Sequence, residues 1–287
     1  NRKIDKNIKD SRTITKQAVE QIENKLKEAD KLLTEMTVFH RNAERSVSEI
    51  EDLANKANLG NLTPEDSQKL KNDSNELKNI PENQLTANDW FIRGLNAQNN
   101  KEYYEAITYY NAAIKLTPPK ELTASIYNNR GVAKYELGNY RAALSDYDKT
   151  IELNPKSAEA YNNRGNANAK SDEYDVAISD YNQAIKLNPR YAKAYNHRGI
   201  VESKLGDHHA ALSDYNQAIE LNPKDSGVYF NKACAYALMK NKTEALNWLD
   251  KSLQLDYSVE NVLKNKDWKN YLDDNEFKIL IAKYNKQ

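Results

Sequence analysis

Residues 158–191 read AEAYNNRGNANAKSDEYDVAISDYNQAIKLNPRY. Tyr161, Gly165 and Ala169 recur every fourth residue, which places them on one face of a helix. Asp172 and Glu173 interrupt that face, and Ala177, Tyr181, Ala184 and Ile185 begin a second one. Asn188-Pro189 ends the second helix, because the residue before a proline is pushed out of the helical region. The stretch therefore predicts a helical hairpin. Gly165 and Ala177 are expected where its two helices approach closely, with Tyr161 and Tyr181 filling the space between neighbours.

The same pattern returns along the chain. Gly94, Gly131, Gly165 and Gly199 are spaced 37, 34 and 34 residues apart. Ala106, Ala143, Ala177, Ala211 and Ala245 follow at 37, 34, 34 and 34, and Pro118, Pro155, Pro189 and Pro223 at 37, 34 and 34. A fixed period of this length marks stacked supersecondary units. The three extra residues fall near Pro119–Glu121, in a loop. Counted as 87–120, 124–157, 158–191, 192–225 and 226–259, the five stretches resemble tetratricopeptide repeats. The family's first aromatic is Trp90, Tyr127, Tyr161, Tyr195 or Tyr229, and its small residue is Gly94, Gly131, Gly165, Gly199 or Ala233. Its second aromatic is Tyr110, Tyr147, Tyr181 or Tyr215, with Leu249 departing, and its proline gives way to Tyr257 in the last stretch. The resemblance implies an all-α, right-handed superhelical solenoid whose first helices line a concave groove. It also implies a non-enzymatic scaffold that binds a protein partner's peptide or helix in that groove.

Composition narrows the remaining classes. Lys plus Arg is 42 and Asp plus Glu is 42, so the 287-residue chain has no formal net charge. This argues against nucleic acid as a partner and leaves a helical-repeat RNA binder as the weakest alternative. No stretch approaches the roughly 20 apolar residues that cross a bilayer. The single cysteine, Cys234, rules out an intrachain disulfide and a cysteine-based zinc site, and favours a cytoplasmic setting.

The flanks differ from the repeats. Residues 1–86 hold one aromatic, Phe39, while every tyrosine lies at or after Tyr103. Residues 1–60 predict a long N-terminal, coiled-coil-like helix, free of Gly and Pro before Gly60, with a seam at Ile22, Leu26, Ala29, Leu33, Met36, Ala43, Val47, Ile50, Ala54 and Ala57 and with His40 in its polar slot. The seam admits a homodimer, packing on residues 64–80 or on the first repeat helices, or plugging of the groove. Residues 61–86 predict a short helix, capped by Thr63 with Pro64 in its first position, and a linker. Residues 1–16 carry six basic and two acidic side chains, and the chain begins with Asn1. That fits a membrane anchor upstream of residue 1, which would make this the regulatory or sensor portion of a larger, membrane-tethered protein. Residues 260–287 predict capping helices, built on Leu263, Trp268, Tyr271, Phe277, Leu280 and Ile281.

Two sets of side chains stand out within the repeats. Arg130, Arg164 and Arg198 lie sixteen residues before Asp146, Asp180 and Asp214. A hairpin turning midway sets each pair face to face, so the three arginines are expected to hold register inside their own repeats. The resemblance places Asn128, Asn162, Asn166 and Asn196 on the groove, where a carboxamide offers both a donor and an acceptor to a peptide backbone. It places Phe91, Leu95 and Phe230 at the groove ends as apolar anchors, beside Cys234. The lysines with which chaperone-binding relatives clamp a C-terminal carboxylate have no counterpart here. No catalytic residue, cofactor or metal is expected. His208 and His209 are adjacent and point apart, and Cys234 reads as a small core residue.

Overall fold

A computed structural model describes residues 15–34, 36, 47–58 and 61–285, and every regular element among them is helical. The long helix expected over 1–60 falls partly outside these residues, as do its positions Ala43 and His40. Helical structure runs through α1 (15–34) and α2 (Val47–Asn58). The chain divides into two compact units, residues 1–129 and 130–287.

In the first unit, α3 (Pro64–Leu77), a 3-10 turn (Glu82–Gln84), α4 (Ala87–Asn99) and α5 (Tyr103–Lys115) follow α2, and α6 (Lys120–Glu136) begins. The two capping boxes are alike. Thr63 accepts from the Asp66 backbone N–H while Asp66 accepts from that of Thr63, and Thr86 and Asp89 do the same for α4. Each box satisfies two of the orphan donors at a helix start. Ion pairs Lys56–Asp66 and Lys69–Glu49 tie α3 back to α2. Both helices pack on α4, burying Ile50, Leu53, Ala54, Leu70 and Leu77. The seam is therefore divided: its Ile50 and Ala54 enter the chain's own core, whereas Ile22, Leu26, Leu33 and Met36 are exposed.

The second unit is built from antiparallel helix pairs: α8 (Ala158–Lys170) with α9 (Tyr174–Leu187), α10 (Ala192–Lys204) with α11 (His208–Leu221), and α12 (Ser226–Leu238) with α13 (Lys242–Gln254). They follow the last turns of α6 and α7 (Tyr140–Leu153). Each turn contains a left-handed residue, at φ 77° for Gly138, 60° for Asp172, 88° for Gly206 and 59° for Lys240. Glycine meets this demand without Cβ strain at two of the turns. The core is a row of small clusters. Ala167 of α8 joins Ala143 and Tyr147 of α7, and Val201 of α10 joins Ala177 and Tyr181 of α9. Each cluster needs the neighbouring pair to close it, which is the physics of a stacked repeat.

The cluster at the C-terminal end is rich in aromatic side chains. α14 (Val259–Lys264), a 3-10 segment (Lys266–Tyr271) and α15 (Asn275–Tyr284) pack on α12 and α13. Trp268 is wholly buried, stacked on Phe277 at 5.5 Å, and donates its indole N–H to Cys234 Sγ at 3.3 Å.

Candidate functional site

The first-helix faces are held in place by a glycine–tyrosine contact. A Cβ at Gly131, Gly165 or Gly199 would lie 2.6, 2.7 or 2.8 Å from a ring carbon of Tyr147, Tyr181 or Tyr215. In the first unit Gly94 lies against Tyr110 in the same way. Two of the tyrosine hydroxyls are tethered too: Tyr181 donates to Asn166 Oδ1 and Tyr110 to Gln98 Oε1, each at 2.9 Å.

The arginines carry a second fastening. Arg130 grips Asp146 through Nε (2.9 Å) and a terminal nitrogen (2.6 Å), and Arg198 grips Asp214 at 2.7 Å through both. Arg164 holds Asp180 at 2.6 Å. From Arg164 onward this position also reaches the preceding repeat. Arg164 bonds Asp148 at 2.7 Å, Arg198 bonds Asn182, and Lys232 bonds Asn216. One guanidinium thus joins three helices. The carboxylates around Arg164, Asp180 first and Asp148 next, raise its pKa above the ordinary arginine value. Lys232 has no acid opposite. It lies over Trp248 at 3.3 Å, and burial, with Lys251 nearby, pulls its ammonium down to about 8. Arg93, in the first unit, donates to the Leu77 carbonyl at 2.7 Å, at the C-terminal end of α3 where a cation is favoured.

The asparagines form a row with one bond per step. His197 Nδ1 lies 2.9 Å from Asn162 Oδ1, and Asn231 Nδ2 donates to Asn196 Oδ1 at 2.9 Å. Only an N–H can face a carboxamide oxygen, so His197 carries its proton on Nδ1. Burial, with the Lys193 charge behind it, pushes His197 down to about 4. Its contribution to stability is complete above the unfolded value of about 6.5 and is lost as pH falls toward 4, on the order of 2 kcal/mol. Asparagine stands at the matching place, Asn231, and makes the same bond. His197→Asn should therefore leave stability at pH 7 unchanged and flatten the fall in unfolding free energy between pH 6.5 and 4. An unaltered acid slope would remove His197 from the account.

Asn162 is 2% exposed and Asn128, in the first unit, 5%. Asn166 and Asn196 are half-buried, and each uses its carbonyl inside the stack while Nδ2 makes no hydrogen bond among the described residues. The apolar anchors need correction. Phe91 and Leu95 are 0% exposed and Phe230 is 3%. Phe91 packs on Tyr110, and Phe230 stacks on Tyr257 at 4.3 Å inside the C-terminal cluster. The reason is that the ends of a helical stack expose apolar faces, and the flanking elements cover them.

Beside Asn231 a recess of about 570 Å³ opens between α10, α12 and the 265–267 segment. Ile200 and Leu238 supply apolar wall, and Lys204, Lys266 and Asp267 supply charge. Cys234 also lines it, but burial pushes the thiol up to about 12, so it stays protonated. Glu202 lies outside this set, near Asp214. Burial first, and the Asp214 charge second, push it up to about 7.

Family models described as tetratricopeptide repeat match residues 90–156, 128–192, 192–225 and 214–247. The chain is a tetratricopeptide repeat protein. Its helical pairs are accordingly those of a tetratricopeptide repeat solenoid. A crystal structure of MamA is 28% identical at a TM-score of 0.50, covering 60% of this chain and 97% of that one. A second MamA structure is 27% identical at 0.50, covering 63% and 95%. The MamA 41-end fragment from Desulfovibrio magneticus RS-1 shares the fold at 17% identity and a TM-score of 0.52, covering 62% and 97%. No curated protein matches the sequence. As a tetratricopeptide repeat protein the chain is a protein–protein interaction scaffold, and proteins of this family are generally non-enzymatic. No helix among the described residues is long and apolar enough to cross a membrane.

Proposed function

We propose that the first-helix face of the second unit binds an extended peptide from a partner protein. The Nδ2 groups of Asn166 and Asn196 donate to peptide carbonyls, and an apolar side chain enters the recess against Ile200 and Leu238. An acidic group of the peptide lies near Lys204 and Lys266. The observation that carries this reading is the recess itself, which adjoins the asparagine row through the Asn196–Asn231 bond. An extended peptide fits better than a helix, because a helix satisfies its own carbonyls and would leave the amide donors unused.

Peptides selected from a random displayed library on the intact chain provide the test. Leu238 is 42% exposed, so Leu238→Lys should keep the fold within ~0.5 kcal/mol of wild type. It should weaken selected peptides at least about tenfold by fluorescence anisotropy, since a charge replaces the apolar wall. Peptides that bind Leu238→Lys as well as wild type would place the interaction elsewhere.

A further inference from the structure

We propose that α1 forms a parallel two-stranded coiled coil with a second copy of this chain. This stands apart from the peptide reading and survives its failure. α1 presents its apolar side chains to solvent: Ile22 is 65% exposed, Leu26 62% and Leu33 64%, with Val19 at 49%, and Met36 just beyond it is 69% exposed. A continuous stripe on that scale marks an interaction surface. The spacing names the partner. Val19, Ile22, Leu26, Ala29, Leu33 and Met36 alternate steps of three and four, the seam by which one helix packs on another of the same kind. The a positions are Val19, Leu26 and Leu33, and the d positions are Ile22, Ala29 and Met36.

Charge decides the orientation. The flanking e positions are Lys16, Glu23 and Asp30, and the g positions are Ala18, Lys25 and Leu32. In a parallel pair each g residue faces the e residue five positions later in the other copy. Lys25 then meets Asp30 of the second copy, twice by symmetry. In an antiparallel pair that aligns Val19 with Met36, e faces e, and Glu23 meets Asp30 twice. Parallel gives two attractions where antiparallel gives two repulsions. Ile50, Leu53 and Ala54 of α2 are already buried in their own unit, so the exposed stripe of α1 is what the second copy would cover.

Sedimentation equilibrium of the intact chain tests this. A concentration-dependent dimer is expected. Leu26→Glu with Leu33→Glu should weaken it at least ~100-fold, since both side chains would lie in the dimer seam and neither is buried in the single chain. Asp30→Lys should weaken it about tenfold by setting Lys25 against a second cation, and Lys25→Glu added to it should restore wild-type association. Circular dichroism of each variant checks that the repeats stay folded. A chain that stays monomeric up to about 1 mM overturns the proposal. So does a dimer indifferent to the double glutamate variant, or one that Asp30→Lys strengthens, as the antiparallel pairing requires.

Discussion

Gly94→Ala should lower the unfolding free energy of the α4–α5 pair by about 2 kcal/mol, although alanine is the better helix former. In an exposed helix the substitution would stabilise by roughly 0.5–1 kcal/mol. Here the added Cβ would lie 2.2 Å from Cε1 and 2.5 Å from Cδ1 of Tyr110. That ring is completely buried, and its hydroxyl is tied to Gln98. It has no open direction in which to swing, so the two helices must part, at the ~1–3 kcal/mol typical of an overfilled core. The other contacts form a series, at 2.6 Å for Gly131, 2.7 Å for Gly165 and 2.8 Å for Gly199. The loss should shrink along that series, with Gly199→Ala the mildest. Urea denaturation followed by circular dichroism measures each step. Pairing Gly94→Ala with Tyr110→Leu should recover about 1 kcal/mol of coupling, because the smaller side chain makes room. A Gly94→Ala chain as stable as wild type would mean that the added Cβ does not force the helices apart.

What the sequence made legible is what lies inside one hairpin. Gly165 and Tyr181 sit sixteen residues apart, as do Arg164 and Asp180, and a turn at Asp172 sets both pairs opposite without knowledge of any neighbour. The bonds that cross between repeats were not legible. Arg164–Asp148, Arg198–Asn182 and Lys232–Asn216 span the same sixteen residues but run backward into the preceding pair, so their geometry depends on how pairs stack. The asparagine row was half legible. Residue type and face pointed to Asn162 and Asn196, but the bonds to His197 and Asn231, thirty-five residues on, consume their carbonyls. The donor ends of Asn166 and Asn196 make no hydrogen bond among the described residues. Phe91, Leu95 and Phe230 were misread because their covers carry no repeat signature. α2 and α3 pack on α4 in the first unit, and Tyr257, Trp268 and Phe277 lie in the cluster that encloses Phe230 in the second. A period reveals the repeating parts of a stack and is silent about its ends.

Asp180→Ala should cost about 3 kcal/mol, the larger effect among the ionic substitutions. Asp180 is 4% exposed and takes bonds from Arg164 at 2.6 Å and from Asn168 at 3.0 Å. Removing it leaves a half-buried guanidinium with Asp148 alone, and an uncompensated charge of that kind typically costs about 3–5 kcal/mol. Asp148→Ala is the control. Its side chain is 61% exposed, so breaking the same arginine's other bond should cost no more than ~1 kcal/mol. Arg164→Leu alone should cost a similar amount to Asp180→Ala, by stranding the carboxylate. Replacing both, Arg164→Leu with Asp180→Leu, should recover about half of that loss, because no buried charge is left unpaired, although Asn168 loses its acceptor. Thermal unfolding of the four chains at low and high salt separates these terms. If the double variant is as unstable as the single ones, the pair itself supplies net stability. If it recovers, the arginines are kept for register: a guanidinium that must find Asp180 in its own hairpin and Asp148 in the previous one admits one alignment of three helices, where a leucine would accept several.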